Sequence, residues 1–478
     1  MNLPIVVDLD GTLTPTDTLV ESLLKYIRKS PLNLFRVVGL GRQERAVFKS
    51  RIADHSSISG ELLPYNEPFL QYLKEEKAKG RRLVLATAAH RSIAEAVSVH
   101  LDIFDEVLAT DGTHNLKGKA KLEAIRQSLG EQFVYAGNSR ADIPIWMSCK
   151  HAILVGVPSQ VARSVRPHVS VEREFKWPAP DFKVLLKALR VHQWLKNLLL
   201  FVPLLTAFNM TNAGHLIQAM VAFGSFSLAA SSTYIFNDLL DIENDRAHPR
   251  KRLRPFASAK LSVMSGVAMS VVLMAVAVGT ALWLSNGFFV MLMLYVMMTV
   301  FYTLVLKEIV LIDVLMLALL YTLRILAGSV ATGVKTSFWL MAFSVFIFFS
   351  LALVKRCAEL VAMDEKGKMG TYGRDYRVED LRVLWPLGVG SSLAAVVVFG
   401  LFISAPETII RYATPEMLWL IAIALIYWQS RLWIKTSRGQ MHDDPVIFAI
   451  TDKGSQVIVL FMIVVTFLAR FISVNFLP

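Results

Sequence analysis

The sequence predicts two parts of different class: an α/β, doubly wound domain with a helical cap, then an all-α membrane domain of nine transmembrane helices. Three observations carry this. Hydrophobic residues make up 54% of the 478, too many for an ordinary soluble protein. The excess is uneven, since residues 1–180 alternate polar and apolar stretches while 194–478 read mostly as apolar runs joined by short loops. The net charge of +12 divides as 24 Lys/Arg against 20 Asp/Glu in residues 1–180 and 26 against 18 in 181–478, a basic balance that in a membrane protein reports orientation rather than nucleic-acid binding.

In the first part, "LPIVVDLDGTL" (3–13) reads as a buried parallel strand followed by a tight turn. "GRRLVLATAAH" (80–90) and "QFVYAGNS" (132–139) repeat that pattern with helical stretches between them, as a doubly wound sheet requires. Residues 17–58 read as helical and are expected to cap the strand ends. "KWPAP" (176–180) reads as a linker, so the domains are expected at 1–180 and 181–478. Cys149 and Cys357 lie far apart without metal-ligand spacing and read as free thiols in a reducing compartment. Met1 leads directly into the strand-like stretch, with no signal peptide expected before it.

Nine apolar segments follow, at roughly 194–210, 216–236, 263–285, 287–306, 310–332, 337–354, 384–404, 416–434 and 455–476. Each is about the length a helix needs to cross ~30 Å of hydrocarbon. The loops after segments two, four, six and eight hold eighteen Lys and Arg, and the opposite loops hold only Lys335 and Arg411. That asymmetry predicts the first domain and these loops on the cytoplasmic side of a bacterial-type plasma membrane.

Two candidate sites emerge. In "DLDGTLTPTD", Asp8 and Asp10 fall at the carboxyl end of the first strand, where open α/β sheets place their ligands. Two carboxylates at this spacing can divide phosphoryl transfer, one attacking phosphorus and the other moving the proton. Thr87, Lys119 or Lys121, and Asn138 with Asp142 follow in chain order. They supply the phosphate-oxygen donor, the cation and the Mg²⁺ ligands such a site needs.

These residues resemble the haloacid dehalogenase superfamily, a Rossmann-like fold, over about residues 1–175. The resemblance implies Asp8 as nucleophile, Asp10 as acid/base and Thr87 as phosphate binder. It implies Lys121 as the lysine, with Lys119 as the alternative, and Mg²⁺ held by Asp8, the Asp10 carbonyl and the 138–142 motif. Where the family pattern reads GDxxxD this chain reads "GNSRAD", so Asn138 offers an oxygen without charge and a more weakly held ion.

The second site is "NDLLDIENDRAHPRKRLRP" (237–255). On a helix Asn237, Asp241 and Asp245 fall at about 0°, 40° and 80°, with Asp238 near 100°, so all four share one face. Oxygen ligands in that arrangement suit Mg²⁺ together with substrate phosphates. A purely topogenic charge run would explain Lys251, Arg252 and Arg254, but not acids ordered on one face after Tyr234. "LRVHQWLKN" (189–197) adds Gln193, Lys196 and Asn197. Asp313 and Arg324 lie inside an apolar run, where ionisable groups are costly. Lys307, Lys355, Arg356 and Glu359 lead later loops.

Nine spans with this motif after the second resemble the UbiA superfamily of intramembrane transferases, whose pattern is NxxxDxxxD. The NDxxDxxxD, HPxKRxRP, KRxAEL and QWxKN stretches resemble its decaprenyl-phosphate phosphoribosyltransferase-like branch. That resemblance implies Asp238 and Asp241 as catalytic residues, Mg²⁺ held by Asn237, Asp241 and Asp245, and the basic residues above with Asn197 and Glu359 as substrate-binding groups. It further implies phosphoribosyl diphosphate as donor and a polyprenyl phosphate as acceptor. The first domain would then remove the 5-phosphate from the product. The alternatives are a prenyl diphosphate donor with an aromatic or other small acceptor, and a membrane anchor or transporter with a regulatory phosphatase-like head.

Overall fold

The computed structural model describes residues 3–30, 33, 52, 58–111, 115–177, 181–365, 375–441 and 445–473. The backbone divides into two compact units: Met1–Arg190 together with Tyr234–Val272, and Val191–Thr233 together with Leu273–Pro478.

The first unit is built on six parallel strands, β1 (Ile5–Val7), β2 (Leu83–His90), β3 (Glu106–Thr110), β4 (Val134–Gly137), β5 (His151–Val155) and β6 (Ser170–Phe175), in the order β3-β2-β1-β4-β5-β6. The expected strands are β1, β2 and β4, and the sheet adds three more. Successive side chains point to opposite faces: Ile5 and Val7 pack in one buried cluster and Val6 in another, as a sheet covered on both faces requires. The chain leaves β1 toward β2 on one side and returns to β4 on the other. This reversal of strand order opens a crevice at the carboxyl ends of β1 and β4.

Helix α1 (Thr18–Lys29) begins the region expected as a cap; most of 31–57 lies outside the described residues. It starts where Asp17 accepts a hydrogen bond from the Val20 N–H (3.1 Å). Its inner face buries Leu24 and Ile27. Helix α2 (Lys119–Leu129) packs under β2 and β4 through Leu122 and Ile125.

Helices further along the chain include α3 (Ala213–Leu240), α4 (Ile242–Ala247), α5 (Val263–Leu284), α6 (Asn286–Leu304), α7 (Ile312–Thr332), α8 (Phe338–Asp364), α9 (Leu381–Ile403), α10 (Trp419–Ser437) and α11 (Lys453–Phe471). Among the described residues eight helices, all of these but α4, are long and apolar enough to cross a membrane. The other expected segment, 194–210, differs. Its chain forms a 3₁₀ run, Val191–Phe201, then a five-residue helix, Val202–Thr206, with Pro203 at its start. Gly328 of α7 lets that run approach closely, since a Cβ there would lie 2.1 Å from the Leu200 carbonyl oxygen. In the second unit Leu353, Val354 and Cys357 of α8 and Trp428 and Trp433 of α10 share one buried cluster.

Candidate active sites

At the β1/β4 crevice, Asp8 ends β1 and Lys121 reaches it from α2, Nζ to Oδ1 at 2.8 Å. Lys119 is exposed at the start of the same helix, so the structure brings Lys121 and not Lys119 to Asp8. The Lys121 ammonium also donates to the Tyr135 hydroxyl (3.1 Å), which donates to Asp142 Oδ1 (2.7 Å). The other Asp142 oxygen accepts from the backbone N–H groups of Asn138 (3.2 Å) and Ser139 (2.9 Å) and from the Ser139 hydroxyl. Both Asp142 oxygens are therefore engaged, one within the 138–142 turn and one on Tyr135 of β4, and the Asn138 side chain faces Gly11. Gly11 has φ +76°, and a Cβ there would meet the Asn138 amide at 1.9 Å, so glycine is required at that position.

Asp10 accepts from the Thr18 N–H (3.0 Å), which ties it to the first residue of α1. Thr87 is buried near the end of β2, where its hydroxyl accepts from the Ala89 N–H. Burial raises the Asp8 carboxyl to about 6 against the opposing Lys121 ammonium. Burial first, and then the Asp17 carboxylate, raise Asp10 to about 7. A group in that range can both give and take a proton at neutral pH. Asp8, Asn138 and the Asp10 carbonyl carry oxygen donors of the hard kind that would suit Mg²⁺.

A stability prediction follows from the raised values. Without metal, Asp8 and Asp10 keep their protons in the folded chain up to about 6 and 7, while the ordinary carboxyl value of 3.8 applies to the unfolded chain. The folded state therefore binds more protons between those limits, and stability falls as pH rises from about 4 to 7. Thermal unfolding of the full chain in chelator should show this fall, and added Mg²⁺ should raise the midpoint more at pH 8 than at pH 5.

In the aspartate-rich stretch the helix turns at Asp241, between α3 and α4. The Asp241 N–H still donates to the Asn237 carbonyl (3.0 Å) and the Asp245 N–H to the Asp241 carbonyl (2.8 Å), so the helical register runs through the break. Each aspartate meets an arginine. Asp238 pairs with Arg190 and with Arg254 (3.1 Å), Asp245 with Arg254 (2.6 Å), and Asp241 with Arg28 (3.1 Å). The Arg190 guanidinium also lies 5.0 Å from the Tyr234 ring centroid. Burial raises the Asp245 carboxyl, with Arg254 opposing. Lys251 and Arg252 are exposed in a single 3₁₀ turn. Two further ion pairs join α1 to α4: Glu21 with Arg246 through both guanidinium nitrogens (2.7 and 2.8 Å), and Lys25 with Glu243 (2.6 Å). Among the described residues no three His, Cys, Asp or Glu side chains converge in metal-holding geometry.

The other candidates lie in the second unit. Asn197 is buried, donating to the Ser227 hydroxyl (3.0 Å) and accepting from Arg324 Nε (2.9 Å). Arg324 also donates to the Leu320 carbonyl and the Tyr295 hydroxyl. Lys196 stands 5.8 Å from the Tyr321 ring centroid. Arg356 is fully buried, paired with Asp313 (2.6 Å) and Glu359, while Tyr376 donates to the same Asp313. Lys307 and Lys355 are half-buried. With its guanidinium taken by two carboxylates, Arg356 holds helices α7 and α8 together. Arg356→Leu should therefore cost about 3–5 kcal/mol, because it strands a buried Asp313 carboxylate. Asp313→Leu/Arg356→Leu should recover most of that loss in thermal unfolding.

Reading the sequence missed Arg28, Glu21, Arg190, Tyr135 and Tyr376. Tyr135 carried a signal, being a polar-tipped aromatic inside an apolar strand, and Arg190 lay within the quoted 189–197 stretch. The others gain their roles from partners far away in the chain.

Comparison with known proteins settles the family. The model of the UbiA prenyltransferase family matches residues 199–450. The chain belongs to that family. The model of haloacid dehalogenase-like hydrolases matches residues 5–146, so a hydrolase-type domain precedes the transferase domain, and both parts are of enzyme families. With eight membrane-length helices among its described residues, the family member is an integral membrane protein. The uncharacterized protein y4nM of Sinorhizobium fredii is 37% identical over 95% of this chain and 88% of its own length. The decaprenyl-phosphate phosphoribosyltransferase of Mycolicibacterium smegmatis is 32% identical over 46% of this chain and 69% of its own. A UbiA homolog from Archaeoglobus fulgidus, solved bound to GPP and Mg²⁺, is 18% identical with a TM-score of 0.45, covering 60% of this chain and 100% of its own.

Proposed function

We propose that the membrane domain transfers 5-phosphoribose from phosphoribosyl diphosphate to a polyprenyl phosphate, and that the N-terminal domain then removes the 5-phosphate. The observation that carries this is the matching of each aspartate of the 238–245 turn to an arginine. Carboxylates alone would serve one metal-bound diphosphate. Guanidinium groups interleaved with them suit a donor that brings further phosphate oxygens. The 32% identity to a decaprenyl-phosphate phosphoribosyltransferase supports the same donor.

In the transfer step an oxygen of the lipid phosphate attacks C1 of the ribose, the C1–O bond to the diphosphate breaks, and diphosphate leaves. Asn237, Asp241 and Asp245 would hold Mg²⁺, which supplies neutralising charge on the departing oxygens, with Asp238 beside them. Arg190 and Arg254 fix the carboxylates and offer donors to phosphate. In the phosphatase step Asp8 attacks phosphorus, the P–O bond to the ribose C5 oxygen breaks, and Asp10 gives that oxygen a proton. Asp10 then takes a proton from the water that releases inorganic phosphate from Asp8. Lys121 holds Asp8 and neutralises phosphate charge, and Asp8, Asn138 and the Asp10 carbonyl would hold a second Mg²⁺.

The domain boundary is drawn near residue 180, and the excess of Lys and Arg in alternate loops favours the cytoplasmic side of a bacterial-type membrane for both sites. The 191–206 stretch is the ninth crossing: eleven residues at ~2.0 Å and five at ~1.5 Å give about 30 Å. Mass spectrometry of lipid extracted after incubation with phosphoribosyl diphosphate and polyprenyl phosphate tests the reading. A polyprenyl-phosphoryl ribose without the 5-phosphate is expected, and a lipid mass unchanged from the acceptor would refute it.

A further inference from the structure

Between α1 and α4, inside the first unit, lies a cavity of about 280 Å³. Lys25, Arg28 and Lys29 of α1 line one wall, and Asn244 and Arg246 of α4 the other. Four basic side chains line it with two carboxylates, Glu21 and Glu243, over an apolar floor that includes Leu239 and Ile242; with Asp241, the partner of Arg28, the excess is one positive charge. The volume is at the lower edge of the roughly 300–1,000 Å³ of small-molecule pockets. A volume of that order suits a phosphorylated pentose better than a polyprenyl chain.

The position of the cavity on α1 is the second observation. The first residue of that helix holds Asp10 through the Thr18 N–H. Two turns on, Lys25 pairs with Glu243, and Arg28 pairs with Asp241. Arg28 is also held by Asn244, whose amide oxygen, with the amide oriented to satisfy its neighbours, accepts from the guanidinium at 2.6 and 2.9 Å. Lys25 lies seven residues after Thr18, about 10 Å along the axis. One short helix therefore carries the acid/base carboxylate of the phosphatase at one end and a guanidinium on the aspartate-rich turn at the other. The cavity opens between them. The buried Glu21–Arg246 pair fixes the spacing of the two walls.

We infer that this cavity is a binding site for a 5-phosphorylated pentose, holding the sugar phosphate head of the transferase product on its way to Asp8. The inference rests on the phosphoribosyl reading above. The excess positive charge of Lys25, Arg28, Lys29 and Arg246 engages the phosphate dianion, while the lipid tail stays outside. Held there, the head group is not diluted into the cytoplasm between the two reactions.

Two measurements on the full chain test this. In the first, the enzyme turns over phosphoribosyl diphosphate and polyprenyl phosphate, and the ratio of phosphorylated to dephosphorylated lipid is read by mass spectrometry. That ratio is normalised to turnover of p-nitrophenyl phosphate in the same preparation. Lys25→Ala/Lys29→Ala should raise the ratio at least tenfold, and Lys25→Arg/Lys29→Arg should restore it; an unchanged ratio overturns the inference. In the second, ribose 5-phosphate is titrated calorimetrically into Asp8→Asn protein, where Lys25→Ala/Lys29→Ala should remove one binding event. Retention of every event overturns the cavity site. Loss of that event in a protein that makes no ribosylated lipid supports the cavity for the free sugar phosphate, and sinks the phosphoribosyl reading alone.

Discussion

Asp8→Asn in the full chain should stop phosphate release from the lipid product by at least about 10³-fold while diphosphate release continues. The substitution keeps the size of the side chain and removes the nucleophilic charge. Lys121 stays anchored by the Tyr135 hydroxyl, which Asp142 orients in turn, so the pocket is not expected to collapse. The chain should then accumulate lipid that still bears the 5-phosphate. If phosphate release persists at the wild-type rate, the phosphatase chemistry is not at Asp8.

The opposite pattern is expected of Asp241→Asn: diphosphate release should fall by about 10³-fold or more, and hydrolysis of a soluble phosphomonoester should continue. Asp241 sits at the helix turn with its backbone bonded on both sides, so the amide can take its place without unfolding the break. What is lost is one negative charge among the oxygens that would hold the metal. The charge pairing with Arg28 is lost with it, although that half-buried, solvent-screened pair alone is worth little, about 0–1 kcal/mol. A variant with unchanged diphosphate release would remove Asp241 from the reaction.

The parts of this protein that were legible in its sequence are those set by local chemistry. The strand before Asp8 is an unbroken apolar run closed by a glycine turn, and the membrane helices are apolar runs of spanning length; neither needs a distant partner to be recognised. β3 and β6 escaped notice because Glu106, Glu172 and Glu174 interrupt short strands whose polar faces carry ion pairs and hydrogen bonds. The 191–206 stretch matched a span in hydropathy, but Pro203 and the close seat of Leu200 against Gly328 bend it into tighter turns. The motif was read as one continuous helix, and the face survives although the helix breaks at Asp241.

The arginines are a different matter. Arg28 lies in a stretch without any motif and Arg190 sits unremarked beside Gln193, Lys196 and Asn197, and only the fold carries the two to Asp241 and Asp238. Conversely, Arg324 and Arg356 stood out in the sequence because charge inside a span is rare. The structure gives both of them partners within the helix bundle: Asn197, Tyr295 and Leu320 for the first, Asp313 and Glu359 for the second. Spacing along the chain finds residues that act together on one element. It cannot find an ion pair closed by two hundred intervening residues.

The central claim is tested most directly by diphosphate release from purified protein supplied with phosphoribosyl diphosphate. Release is predicted only when Mg²⁺ and a polyprenyl phosphate are both present, and it should disappear in Asp241→Asn. Release from a prenyl diphosphate with a small acceptor, and none from phosphoribosyl diphosphate, would contradict it.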